Sequence, residues 1–384
     1  MTARITSGLS SEDVGVEAFV QAAEAAASEL GGRGVDLALV FCGAANAGDL
    51  EEGLEAVKER LASASVIGCA ATGVVGGRRE IEDGGVAVWA ASLPDARIQS
   101  FHAQTSTIAS AAVVTGMPDF SGADAVILLA DPYTFPIEAT LEQIGATHPK
   151  LPVVGGLASA GTGSQQATLI RDGELVTGGA VGVGLFGVDV RVCVSQGAQP
   201  IGPEMVITAA EDNVIYELAS QPALERLKEA ISDLDESERA LAAHGLLLGI
   251  VVDENQPDYG RGDFLVRGLV AIDEHHGSVT VGESVRVGQT VRMQVRDSDC
   301  ADQDLKQALD GQLKELDNPP SGALIFTCNG RGTHMFGHPD HDARLVDELL
   351  CGTPTAGFFC AGEIGPVGPR NFVHGFTATL AVFA

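Results

Sequence analysis

Basic residues are scarce in this chain. Lysine and arginine number 23 against 52 aspartates and glutamates in 384 residues, a net charge of −29. No stretch clusters the cations needed to displace counterions from a phosphate backbone, which argues against nucleic acid as a partner. The same charge opposes adsorption to an anionic membrane. Long apolar runs are missing too: LLLGIVV at 246–252 is of strand length, far short of a bilayer span. The N-terminal MTARITSGLSSEDVG lacks the apolar core of a signal peptide, so a cytoplasmic protein is expected. No CxxC occurs, which removes the zinc-ribbon and thioredoxin-type readings. The 7 cysteines are scattered through apolar segments and are expected to be free thiols filling small core spaces.

A folded chain nonetheless follows from a composition 45% hydrophobic and 20% charged, and the length suggests two domains. The spacing of Val16, Val20, Ala23, Ala27 and Leu30 predicts a helix over 16–30, stopped by Gly31 and Gly32. A strand (36–42), a helix (49–62), a short buried strand (66–70) and a longer one (85–92) follow. The same order returns as strand 124–130, helix 136–147, short strand 153–158 and longer strand 179–186. It returns again as strand 322–328, helix 342–350, short strand 356–361 and longer strand 376–383. Each short strand runs into small residues before a turn: GCAATG at 68–73, GGLASAG at 155–161 and FCAGEIG at 359–365. Segments 246–253 and 264–273 read as a further partial copy without its helix.

The expected fold is thus α/β with mixed sheets, in two related lobes built from repeated strand–helix–strand–strand units. Pro200, Gly202 and Pro203 place the boundary near 198–212, giving lobes 1–205 and 206–384. In the second lobe, 213–220 and 223–234 read as helices broken at Pro222, and 233–239 as a charged surface segment. A hairpin is expected over 264–284 with Gly277 at its turn, and a helix to Leu316 with Ser298 as its cap. Arg78, Arg79 and Glu80 read as an exposed turn.

Several of these stretches resemble a known family. FLVRGLVAID at 264–273, ALIFTCNGRG at 323–332 and GFFCAGEIGPVG through HGFTATLAVF at 357–383 resemble the C-terminal half of FIST proteins. IYELASQPAL at 215–224, IGCAATG at 67–73 and VVGGLASAG at 153–161 extend the resemblance over nearly the whole chain. It implies a sensory, ligand-binding module of intracellular signalling, not an enzyme, with small ligands such as amino acids. Some bacterial relatives are described as haem-binding nitric oxide sensors. Neither an output domain nor an F-box is found in this chain, so a stand-alone copy would signal through a separate partner protein.

Six polar residues form the expected ligand site: Arg267, Asn329, Arg331, Glu363, Asn371 and His374. Asn329 to Gly332 follow one repeat strand and Glu363 follows the next, and ligands of α/β units commonly sit where loops leave the strand ends. Arg331 could fork onto a ligand carboxylate, Glu363 could accept from an ammonium, and Asn371 and His374 could fix orientation. Alternatively Arg331 and Glu363 pair with each other and merely order an interface. Cys328 or Cys360 near His374 could make a nucleophile, though Cys42 and Cys69 occupy corresponding places without a histidine, which favours packing. His334, His338 and His341, with Asp340 or Asp342, lack zinc spacing and read as a solvated loop. For a haem, the axial candidates are His374 or one of those three. No metal is expected. A scaffold without any ligand is the remaining alternative.

Overall fold

The computed structural model describes residues 3–12, 15–108, 111–160, 166–316 and 318–384. The chain forms two compact units, one of residues 1–194 with 306–384 and one of residues 195–305. This differs from the expected lobes 1–205 and 206–384. The chain leaves its first unit near the expected boundary but returns to it at Lys306.

The first unit uses one motif three times. Strand β1 (Arg4–Ser10) and helix α1 (Glu17–Leu30) lead into β2 (Leu37–Gly43), α2 (Leu50–Leu61) and β3 (Ser65–Ala71). The hairpin β4 (Val74–Gly76) and β5 (Arg79–Ile81) follows, then β6 (Val86–Ser92). β2 lies between β3, parallel to it, and β6, antiparallel to it. After β7 (Arg97–Ile108) and β8 (Ala111–Thr115), the second copy consists of β9 (Ala125–Ala130), α3 (Ile137–Thr147), β10 (Val153–Leu157), the hairpin β11 (Thr168–Arg171) and β12 (Glu174–Thr177), and β13 (Ala180–Phe186). Its pairings are the same. Gly161, the last residue of the second glycine motif, lies outside the described residues.

β14 (Val190–Ser195) precedes the second unit. There β15 (Gln199–Glu211), β16 (Val214–Leu218), β17 (Gln221–Pro222), α4 (Ala223–Ser232), α5 (Glu236–His244), β18 (Leu246–Val251), β19 (Phe264–Asp273), β20 (Ser278–Val281) and β21 (Thr290–Val295) succeed one another. The strand order is β15-β21-β18-β19-β20-β16, and β15 also pairs with β16, so the antiparallel sheet closes into a barrel. A partial copy of the repeat was expected here. β18 and β19 instead pair antiparallel, because no helix separates them to carry the chain back. The helix expected over 213–220 is β16, rich in β-favouring Val, Ile and Tyr; Ala219 and Ser220 turn it at φ 51° and 64°. The charged segment 233–239 runs into α5, whose first turn is capped by Asp235 through the Glu238 N–H. The 264–284 hairpin forms as expected, with Gly277 at φ 66°.

Helix α6 (Ser298–Leu313), capped by Asp297 rather than Ser298, crosses the boundary between the units. The third copy is β22 (Gly322–Cys328), α7 (Gly332–Phe336), α8 (His341–Leu349), β23 (Thr355–Cys360), the hairpin β24 (Gly362–Val367) and β25 (Arg370–His374), and β26 (Ala378–Phe383). β22 is again parallel to β23 and antiparallel to β26.

The hairpins change sheets. The first copy's β4 pairs with β23 of the third, the third's β24 pairs with β10 of the second, and the second's β11 pairs with β3 of the first. Three sheets are thereby linked in a ring. Strand periodicity sets what they bury: Leu37, Leu39 and Phe41, like Ile127 and Leu129 or Leu324 and Phe326, share one common core, while Ala38, Val40 and Cys42 pack with α1 and α2. Among the described residues no helix is long and apolar enough to cross a membrane.

Candidate functional site

The pairing register makes positions in the three copies equivalent. Gly68, Gly155 and Gly357 lie opposite Val40, Leu128 and Ile325 on the parallel neighbour. A Cβ there would stand 1.9, 1.9 and 1.7 Å from those residues' carbonyl oxygens, so only glycine fits. Counting from these glycines, Thr72, Ser159 and Ala361 are equivalent, and so are Gly43, Asp131 and Cys328. The sequence motifs equated 68 with 359, two residues away from this register. Cys42 and Cys69 therefore correspond to Thr327 and Phe358, not to Cys328 and Cys360.

Where β3, β10 and β22 end, three polar residues from the three copies meet. The Thr72 hydroxyl donates to Asn329 Oδ1 at 2.7 Å, the Thr72 N–H donates to Ser159 Oγ at 2.9 Å, and Ser159 Oγ donates to the Phe359 carbonyl. Next to Asn329, Cys328 closes β22; its N–H donates to the Thr377 carbonyl at 3.0 Å, and its sulfur accepts from Gly330 N–H at 3.4 Å.

Glu363, on β24, is fully buried. It lies opposite Gly156, as Val74 lies opposite Phe358 and Leu169 opposite Cys69. Val74 and Leu169 belong to the common core, so the third copy carries a carboxyl where the others carry aliphatic groups. Its Oε2 accepts from the Thr377 N–H and hydroxyl at 3.0 and 2.7 Å, its Oε1 is buried without a hydrogen-bond partner among the described residues, and the Cys328 thiol lies beside the carboxyl. Burial pushes the carboxyl up to about 8, against the lowering effect of Thr377 and Arg331, so the acid is held protonated at neutral pH. Burial likewise pushes Cys328 up to about 11 and Cys360 well above its ordinary value, which opposes thiolate formation at either sulfur.

Phe376 stands over this place. It is 46% exposed, its backbone is left-handed at φ 62°, and its ring lies where a Cβ on Gly330 would be, 2.6 Å from the nearest ring carbon. The equivalent residue of the second copy is Gly178, at φ 70°. A bulky side chain in that region stores strain, and such outliers gather at ligand clamps and switches.

The six expected residues are not one site. Asn329 and Glu363 are brought together by Cys328. Arg331 is 1% exposed and grips Asp342 with Nε and Nη2 at 2.7 and 2.8 Å, and its charge also lowers the Glu363 carboxyl. Asp342 lies well below the usual carboxylate range: Arg331 and His341 overcome its burial. Glu80, expected in an exposed turn, is buried and accepts from Ala343 N–H at 3.0 Å; burial and the neighbouring Asp342 raise it to about 8. Asn371 ties β25 to β10, accepting from Val153 N–H at 2.9 Å and donating to the Leu151 carbonyl at 2.8 Å. It borders a surface groove of about 500 Å³ lined by Leu141, Glu142, Lys150 and Arg370. Arg267 lies in the second unit, bonded to Glu283 at 2.9 and 3.1 Å. His374 pairs with Glu363 across the hairpin and is buried, with Nε2 3.0 Å from the Gly365 carbonyl.

Two of the histidines named as haem candidates are engaged within the protein. His374 directs Nε2 into its own hairpin, and His341 stacks on Phe336 at 3.4 Å while bonding Asp342. His334 and His338 are exposed. Among the described residues no cluster suits a metal ion. All seven cysteines are free thiols, and Cys351 departs from expectation in being exposed. Sequence reasoning missed Thr72, Ser159, Phe376 and Thr377 as parts of one place. The signal was the repeat itself, once aligned on the glycines the register requires.

Comparison with known proteins agrees with the resemblance. The FIST N domain matches residues 36–221 and the FIST C domain residues 223–366. The chain is 43% identical over 382 residues to an uncharacterized protein of Mycobacterium tuberculosis, covering 99% of both chains. It is also 43% identical over 369 residues to an uncharacterized protein of Mycobacterium bovis, covering 96% of this chain and 95% of that one.

Proposed function

This chain belongs to the FIST family, whose domains are sensory domains of signal transduction, and we propose that it senses a small molecule over Glu363 and Cys328. The observation that carries the reading is Glu363: a buried carboxyl at a position aliphatic in both other copies, joined through Cys328 to hydrogen-bonded side chains drawn from all three. A fold needing only packing there has Val74 and Leu169 as its solution. The ligand takes over the hydrogen bonds that Thr72, Ser159 and Asn329 make to one another, and relaxation of Phe376 conveys its arrival. A separate cytoplasmic protein receives the signal.

The amino acid expected as ligand relied on Arg331 for its carboxylate, and Asp342 occupies that guanidinium. Cysteine catalysis is disfavoured by the raised thiols, and a haem by the engaged histidines. Native mass spectrometry of freshly purified protein tests the reading. The intact chain should carry a small-molecule mass that Asn329→Ala and Glu363→Gln each reduce. A bare chain whose melting temperature is also unmoved by a metabolite panel at millimolar concentration would favour a scaffold without ligand.

A further inference from the structure

Resting on that reading, we infer that the ligand is an organic cation, an amine or guanidine without a carboxylate. The side-chain oxygens of the site are Thr72 Oγ1, Ser159 Oγ and Asn329 Oδ1, bonded together, and the Glu363 carboxyl, which adjoins them through Cys328. Loops 42–46, 69–73, 157–160, 328–331, 360–363 and 374–377 contain a single lysine or arginine, Arg331, whose Nε and Nη2 are bonded to Asp342. The charge of that arginine is already balanced by Asp342, so an anionic group would meet no uncompensated cation in these loops, and a net charge of −29 repels anions while concentrating cations near the surface. The half-exposed Phe376 ring offers the face on which ammonium and guanidinium groups settle.

Glu363 gives the binding a proton signature. The titratable or charged groups around it are Cys328 ending β22, Cys360 on β23, His374 opposite on β25, and Arg331 with its partner Asp342; β10 presents Gly156. Held protonated by burial, the carboxyl gives up its proton to solvent when a cation settles beside it. Affinity should therefore rise with pH until about pH 8 and level off above it.

Isothermal titration of the full chain with agmatine and putrescine, and separately with alanine, glutamate and acetate, tests this at physiological salt in two buffers of different ionisation heat. The expected result is one site per chain for an amine, about tenfold tighter per pH unit below pH 8, with a proton released and no binding of the three carboxylates. Glu363→Gln, which keeps an acceptor for Thr377, should abolish the pH dependence. Phe376→Leu should weaken binding and leave the pH dependence intact. Binding of alanine, glutamate or acetate, or amine binding indifferent to pH and to Glu363→Gln, overturns the cation while leaving a sensor. Failure of both amines also overturns it; only a bare native mass together with a melting temperature unmoved by the metabolite panel removes the sensor as well.

Discussion

The first and third copies of the repeat share a backbone register and differ in what they place on it. The first has Gly43, Val74, Gly84 and Gly85 at positions where the third has Cys328, Glu363, Phe376 and Thr377. The first set is apolar and permissive. The second holds a buried acid, a thiol, a hydroxyl and an aromatic ring on left-handed backbone. Both support the same strands, so the third copy's choices are not dictated by the fold. What the copies share reports architecture, and what only the third has is where the proposed function rests.

The equivalence itself can be broken at its glycines. Alanine at Gly68 or Gly357 would press a methyl group into a carbonyl 1.9 or 1.7 Å away, and each should cost about 3 kcal/mol, read as the shift in urea midpoint. Costs differing several-fold between the two would mean the copies are not equivalent. The acid comes next. Glu363→Val alone strands the Thr377 N–H and hydroxyl and should cost about 1–3 kcal/mol, whereas Glu363→Val with Thr377→Gly recreates the first copy and should recover most of it. The wild type should also lose stability as pH rises from 4.5 to about 8, because folded Glu363 keeps a proton that the unfolded carboxyl has released. Glu363→Gln should flatten that slope. Smallest is Phe376: glycine should be about 1 kcal/mol more stable than alanine there, a difference a thermal melt resolves.

The helices and strands of the repeats were legible because period and punctuation agree: LALVFC at 37–42 is uniformly apolar, and Gly31 ends α1 in a left-handed turn at φ 63°. The inserted barrel was not, since its closure depends on β15 meeting β16 around the sheet, a relation no local pattern carries. Of the expected residues, Asn329 and Glu363 both adjoin Cys328, the first as its neighbour in the chain and the second through its thiol. Arg331 was misplaced because its partner, Asp342, comes from the helix after its own loop, and only tertiary structure shows which carboxylate reaches it first.

The exchange of hairpins has a consequence in time. Val74 finds its partner only when Phe358 exists. At synthesis rates of about 5–20 residues per second, the first hairpin waits roughly 15–60 s with its edge unmet. During that interval the nascent chain is an unfinished sheet in search of a strand. Faster synthesis of residues 77–358 would shorten that exposure, and a pause within them would lengthen it.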